Sequence, residues 1–248
     1  MKKILLGILL LAAALTLSSC VTAPIQPIPP QPVPSRPVVR GDICHVVAPG
    51  ETIWRISKMY DVPMESIVRA NNLKDATQLE KGQRLAVPNA APIVPVVTLY
   101  PSAKWKYIII HHSATDEGNS YAFDNSHRSK GWNSVGYHFV IDNGTQSKQD
   151  GQIEAGPRWI KQQDGSHCRA GNMNTKAIGI CLVGNFNKSH VSSKQMDSLI
   201  YVVNRLRHYY KIPADRIMGH GQVAGATTAC PGKLFPWSEF KSRVRQGS

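Results

Sequence analysis

The sequence predicts an α/β fold: a mixed central β-sheet flanked by helices, preceded by a small βααβ unit. Three observations predict it. The runs Tyr107-Ile108-Ile109-Ile110 and Ala177-Ile178-Gly179-Ile180-Cys181-Leu182-Val183 are apolar on both faces, as strands of a sheet covered on both sides are. Met196, Leu199, Ile200, Val203, Leu206 and Tyr210 recur at helical spacing, and such a stripe must be buried against another layer. Between residues 45 and 88, two strand-like ends bracket two short helical patterns.

In chain order, Lys2-Lys3 precedes an apolar stretch, Ile4 to Leu15. It is too short to span a bilayer comfortably and reads as a secretion signal. It runs into Leu17-Ser18-Ser19-Cys20, which resembles a bacterial lipobox. Residues 1–19 are therefore expected to be a lipoprotein signal peptide, cleaved so that Cys20 carries the lipid. A diacylated cysteine holds a protein on a membrane where one acyl chain would not. Val21 is not the aspartate that resembles an inner-membrane retention signal. The expected location is the cell envelope, lipid-anchored on the outer membrane and facing the periplasm. Residues 20–42 carry Pro24, Pro27, Pro29, Pro30, Pro32, Pro34 and Pro37 and form a stiff, extended tether.

Residues 43–88 make the small unit. His45-Val46-Val47 is its first strand; Ile53, Trp54, Ile56 and Met59-Tyr60 recur at helical spacing. Pro63 to Ala70 is a second helix, and Gly82 to Pro88 the closing strand. The pieces Pro49-Gly50-Glu51-Thr52-Ile53-Trp54, Ala70-Asn71-Asn72-Leu73 and Lys81 to Pro88 resemble a LysM module. That resemblance implies binding to N-acetylglucosamine in glycan strands, through loops around Gly50 to Ile53 and Asn71 to Ala76. Trp54 and Ile56 are expected in the core.

A proline-marked linker, residues 89–101, leads into the main domain, residues 102–243. Lys106 to His111, Val135 to Asp142 and Ala177 to Val183 are expected strands, and Arg216 to His220 a short fourth. Ser192 with Gln195 three residues on reads as a capping box that starts the long helix, which stops before Pro213.

The chain of 248 residues has a formal charge of +13, which favours polyanions. Nucleic acid is excluded as a partner for an exported chain without a nucleic-acid motif; anionic cell-wall polymers or membrane surfaces fit better. A monomer is expected. Of five cysteines, Cys44, Cys168 and Cys181 remain once Cys20 and Cys230 are assigned. At most one disulfide can form among them, and the sequence leaves its existence open.

His111, at the end of an apolar strand, with His220 and Cys230 can hold Zn²⁺ and leave one position for water. Spacing alone carries little weight. The surroundings carry more: Ile110-His111-His112-Ser113-Ala114-Thr115, Gly131-Trp132-Asn133-Ser134-Val135-Gly136-Tyr137-His138-Phe139, Ala177 to Gly184, and Thr228-Ala229-Cys230-Pro231-Gly232. From about Lys106 to Phe240 the chain resembles the zinc-dependent N-acetylmuramoyl-L-alanine amidases, which include phage amidase lysozymes and peptidoglycan recognition proteins. The resemblance implies His111, His220 and Cys230 as metal ligands and Tyr137 and Thr228 as catalytic residues. It implies His167 and Asn172 near the substrate, peptidoglycan or muropeptides. Side chains alternate along a strand, so His111 and His112 face opposite ways, and His138 is expected to be a structural histidine. The implied reaction is hydrolysis of the bond between N-acetylmuramic acid and L-alanine by zinc-activated water. The alternative is a non-catalytic lipoprotein that links membrane to wall.

Overall fold

The computed structural model describes residues 38–246. The expected signal peptide, Cys20 and most of the tether lie outside the described residues.

The small unit is built as β1 (Gly41–Val46), α1 (Ile53–Tyr60), α2 (Met64–Ala70) and β2 (Arg84–Ala90), with β1 and β2 antiparallel. Thr52 starts α1, its hydroxyl accepting from the Arg55 amide at 3.2 Å; Asp61, left-handed at φ 50°, ends it. Ile53, Ile56, Met59, Tyr60, Ile67, Leu85 and Val87 close around one core. Trp54 is not in it. It is 50% exposed, because one residue past Ile53 rotates about 100° around a helix and leaves the buried stripe. The expectation of a core tryptophan is corrected; Ile56 is in the core.

The main domain holds a five-stranded sheet in the order β5-β4-β6-β3-β7. Its strands are β3 (Tyr107–His112), β4 (Phe139–Asn143), β5 (Asp150–Ala155), β6 (Ala177–Leu182) and β7 (Ile217–Gly219). Neighbours pair in parallel except β5, which runs antiparallel to β4 at the edge. Around the sheet lie α3 (Ser120–Ser129), α4 (Pro157–Ile160), α5 (Met173–Lys176), α6 (Ser193–Tyr210) and α7 (Trp237–Gln246). The Ser192–Gln195 capping box starts α6. Ile108 and Ile110 pack with Ile178, Ile180, Leu199, Val203 and Leu206 on one face; Ile109 packs with Cys168, Met173 and Val223 on the other. β4 begins at Phe139, later than the apolar pattern suggests. The amides of Val135 and Gly136 are taken instead by Asp124 Oδ1 and His127 Nδ1, at 2.8 and 3.0 Å.

The small unit is joined to the main domain by buried polar contacts. Lys148, ion-paired to Glu154 at 2.7 Å with both side chains fully buried, donates to the Val46 carbonyl of β1 at 2.6 Å. Arg55 of α1 donates to the Ile153 carbonyl of the edge strand β5. Lys81 pairs with the fully buried Asp124 at 2.9 Å. Gly82, at φ +81°, lies so close to Tyr121 that a Cβ would sit 2.5 Å from its ring. Within the small unit, burial opposes ionisation of Glu51, but His45 at 2.7 Å overcomes it and holds the carboxyl down to about 2. Asp142 is pushed the other way, well above the usual carboxylate range, by burial and the neighbouring Glu154.

The connecting segment is held on both sides. Ala91 and Val94 donate their amides to the Tyr60 and Met59 carbonyls at 2.9 Å. Thr98 O accepts from the Trp159 indole at 2.9 Å, and Val97 lies in the main core.

Candidate metal centre

β3 and β7 pair in parallel with Ile110 opposite Gly219. The next residue on each, His111 and His220, therefore stand side by side, with ring centroids 4.9 Å apart. Cys230 is brought to them by a bond from the Gly221 amide to its carbonyl at 2.7 Å. Gly221 is required there, since a Cβ would sit 2.3 Å from the Thr228 carbonyl oxygen. The ligand atoms of His111, His220 and Cys230 all lie within 4.8 Å of one another. A tetrahedral Zn²⁺ site needs such donors roughly 3.5 Å apart, given its bond lengths, so a small closure would fit the ion.

Hydrogen bonding fixes which nitrogen of His111 faces the cluster. The Ala177 carbonyl can only accept, so His167 Nε2, 3.2 Å away, carries a proton. His167 Nδ1 is then an acceptor, and His111 Nε2 at 3.0 Å must donate to it. That leaves the His111 Nδ1 lone pair free, 3.6 Å from Cys230 Sγ. A metal-binding histidine oriented through its other nitrogen is the arrangement expected of such centres. Burial, with His167 and His220 nearby, holds the His111 imidazole neutral; burial also lowers His220. Cys230 is pushed up to about 11 by burial, although the His112 amide donates to its sulfur at 3.4 Å. The sulfur therefore needs a cation to become a thiolate.

The family model for N-acetylmuramoyl-L-alanine amidase matches residues 101–233, more than half of the chain. The chain belongs to the N-acetylmuramoyl-L-alanine amidase family. A LysM domain model matches residues 45–88. Among similar proteins, the endolysin of Enterobacteria phage K11 is 37% identical over 42% of this chain; the match spans 64% of that endolysin, less than two thirds. The endolysin of Enterobacteria phage T3 is 32% identical over 60% of this chain and 95% of its own length. Peptidoglycan-recognition protein SC2 of Drosophila melanogaster is 28% identical over 64% and 96%. The solved N-acetylmuramoyl-L-alanine amidase LysC from Clostridium intestinale URNW aligns at 33% identity with a TM-score of 0.48, covering 61% of this chain and 95% of that one.

Beside the His111–His220–Cys230 group the chain has a cavity of about 540 Å³ lined by Trp132, Ser166, His167, Arg169, Asn174 and His220, among others. The Tyr137 ring lies 5.2 Å from the His111 ring. Burial, reinforced by the nearby Cys181 and Cys230, raises its phenol well above 10, so the hydroxyl is neutral and can donate. Exposed Thr228 accepts the Cys230 amide at 3.2 Å through Oγ1, which leaves its own proton to give.

His167 lines the cavity, but both its nitrogens are committed within the protein. Its polar atoms hold His111 and the Ala177 carbonyl. Asn172 is exposed at φ 56° and is not part of the cavity lining. Asn174 is; its Oδ1 accepts the His167 and Cys168 amides, both at 2.8 Å, and so fixes the loop that carries His167. Sequence reading missed Asn174, although two asparagines so close together offer a choice that only the backbone path decides. His112 faces the opposite side, where its Nδ1 accepts from the Phe186 amide at 3.1 Å. His138 is satisfied between Gly179 N and Gln163 O. Cys44, Cys168, Cys181 and Cys230 are free thiols.

Proposed function

We propose that this chain is a zinc-dependent hydrolase of peptidoglycan, cleaving the amide between the lactyl group of N-acetylmuramic acid and L-alanine of the stem peptide. The observation that carries the reading is the convergence of His111 Nδ1, His220 and Cys230, with the Thr228 hydroxyl beside them, its own proton unspent. His111, His220 and Cys230 would hold the ion. When bound, Zn²⁺ would supply a Lewis acid and lower the pKa of water to about 7. The Thr228 hydroxyl is suited to donate to the oxygen that gains charge as the carbonyl is attacked, a role worth about 3 kcal/mol in comparable sites. The Tyr137 phenol, neutral by burial and hydrogen-bonded to the Cys181 sulfur, would orient the attacking water by turning its proton from that sulfur to the water rather than by removing a proton.

The second reading, a binding protein without catalysis, draws on the LysM domain and on recognition proteins among the relatives. The complete donor set favours the enzyme. We also read residues 1–19 as a lipoprotein signal and Cys20 as the lipid-bearing residue, on the strength of Leu17-Ser18-Ser19-Cys20. This would place the protein on the outer membrane facing the periplasm, and fatty-acid labelling that survives Cys20→Ala would refute it.

The test of function is incubation with sacculi and with muropeptides, with and without chelator, followed by mass spectrometry of the products. New free L-alanine amino termini that vanish with chelator are expected. Intact stem linkages after prolonged incubation with the zinc-loaded protein would leave the binding reading.

A further inference from the structure

The LysM loop that opens α1 does not face open solvent on every side. A Cβ on Gly50 would sit 3.0 Å from Ile160 Cδ1 and 3.6 Å from Pro157 of the amidase domain. Pro157 in turn lines a cleft with Arg128, Asn133, Ser134, Arg158 and Lys161. Asn133 and Ser134 follow directly on Trp132, which lines the cavity beside the metal ligands. The Gly50 loop thus abuts a residue that lines this cleft, and consecutive residues, Trp132 and Asn133, line the cavity and the cleft in turn.

The cleft is cationic. Arg158 is anchored through Nε to the Val135 carbonyl at 2.9 Å, and Arg128 is pinned by Asp124 at 2.7 Å. The one carboxylate lining it, Asp164, is already ion-paired with Lys104. Lys161 is exposed, and no ion pair is formed by it among the described residues. Such a surface attracts carboxylates, of which a peptide-bearing glycan strand carries one or more per stem. Its position is fixed relative to the LysM by the buried Lys148–Val46 bond and by the Lys81–Asp124 pair, so both ends of a strand would be met in one register.

We propose that a single glycan strand, held by the LysM domain, crosses this cationic cleft to present its stem peptide at the metal centre. The preferred substrate is then a peptide-bearing strand rather than a single released disaccharide-peptide. The inference rests on the peptidoglycan reading of the site. Two sites on a rigid frame gain affinity for a ligand that reaches both, typically by about a hundredfold or more.

The experiment measures affinity of the chelator-treated full chain for size-fractionated peptide-bearing strands, and separately the cleavage of those strands by the zinc-loaded chain. Affinity is expected to rise at least about tenfold between one disaccharide-peptide and strands long enough to reach both sites. Lys161→Glu should abolish most of that rise. Lys81→Met, which loosens the seam without emptying a buried position, should reduce it. Affinity independent of strand length, or a length dependence that survives Lys161→Glu, overturns the proposal. Length-dependent binding without cleavage would instead refute the amidase reading and leave this one standing.

Discussion

At the residue scale the relay Ala177 O, His167, His111 makes a sharp expectation. His167→Ala removes the acceptor that orients the His111 ring, and losing such a partner typically costs 10–100-fold in metal affinity by rough estimate. Competition with a chromogenic chelator measures it; unchanged affinity would mean that His111 is oriented by packing alone. Cys230→Ala should abolish zinc retention, read by elemental analysis. Tyr137→Phe should retain zinc and lose most turnover. Zinc uptake should release about one proton from Cys230, which is protonated without the ion while both imidazoles are already neutral, plus a growing fraction from the bound water as pH rises through about 7. Titration calorimetry in buffers of different ionisation enthalpy counts it. The grouping of His111, His220 and Cys230 was legible from their flanking motifs, whereas the relay was not. It depends on which nitrogen of His167 meets a carbonyl ten residues away, and nothing in residue order carries that.

At the element scale the apolar strands β3 and β6 and the long helix α6 were legible, because two-sided burial and a helical stripe both leave their period in the sequence. Ser192 is the clearest local signal, and Ser192→Ala should cost about 1 kcal/mol of stability, measured by urea unfolding. The edge strand β5 was not legible. Its residues Asp150, Gln152 and Glu154 read as polar, yet Gln152 and Glu154 are buried, since Lys148 and Ser120 supply partners for Glu154. Helix α3 was equally hidden. Its composition is polar, and it starts on Asn119, whose side chain accepts the Ala122 amide. A polar surface strand and a buried strand whose charge is matched by Lys148 and the Ser120 amide of the same domain look alike until those partners are placed.

At the scale of the whole molecule the buried charges make stability depend on acid. The Glu51 carboxyl is depressed from 4.5 to about 2, so its contribution is fully present above about pH 4.5 and is lost as pH falls toward 2. Denaturant midpoints taken across that interval should fall with pH, and Glu51→Gln should flatten the slope; an unchanged slope would mean that Glu51 is not ionised in the fold. The two-module organisation was legible from the LysM-like pieces, but the seam was not, because Lys148 and Glu154 look like ordinary solvated charges in a chain of net charge +13. The stretch between the modules has a practical corollary. Ala91, Val94 and Thr98 each spend a backbone group on one neighbour or the other, so the joint is no hinge. Grafting a foreign head at residue 89, or splicing flexible glycine-serine sequence there, would strip the main domain of part of its own wall, and chimeras should respect a cut upstream of Val38 instead.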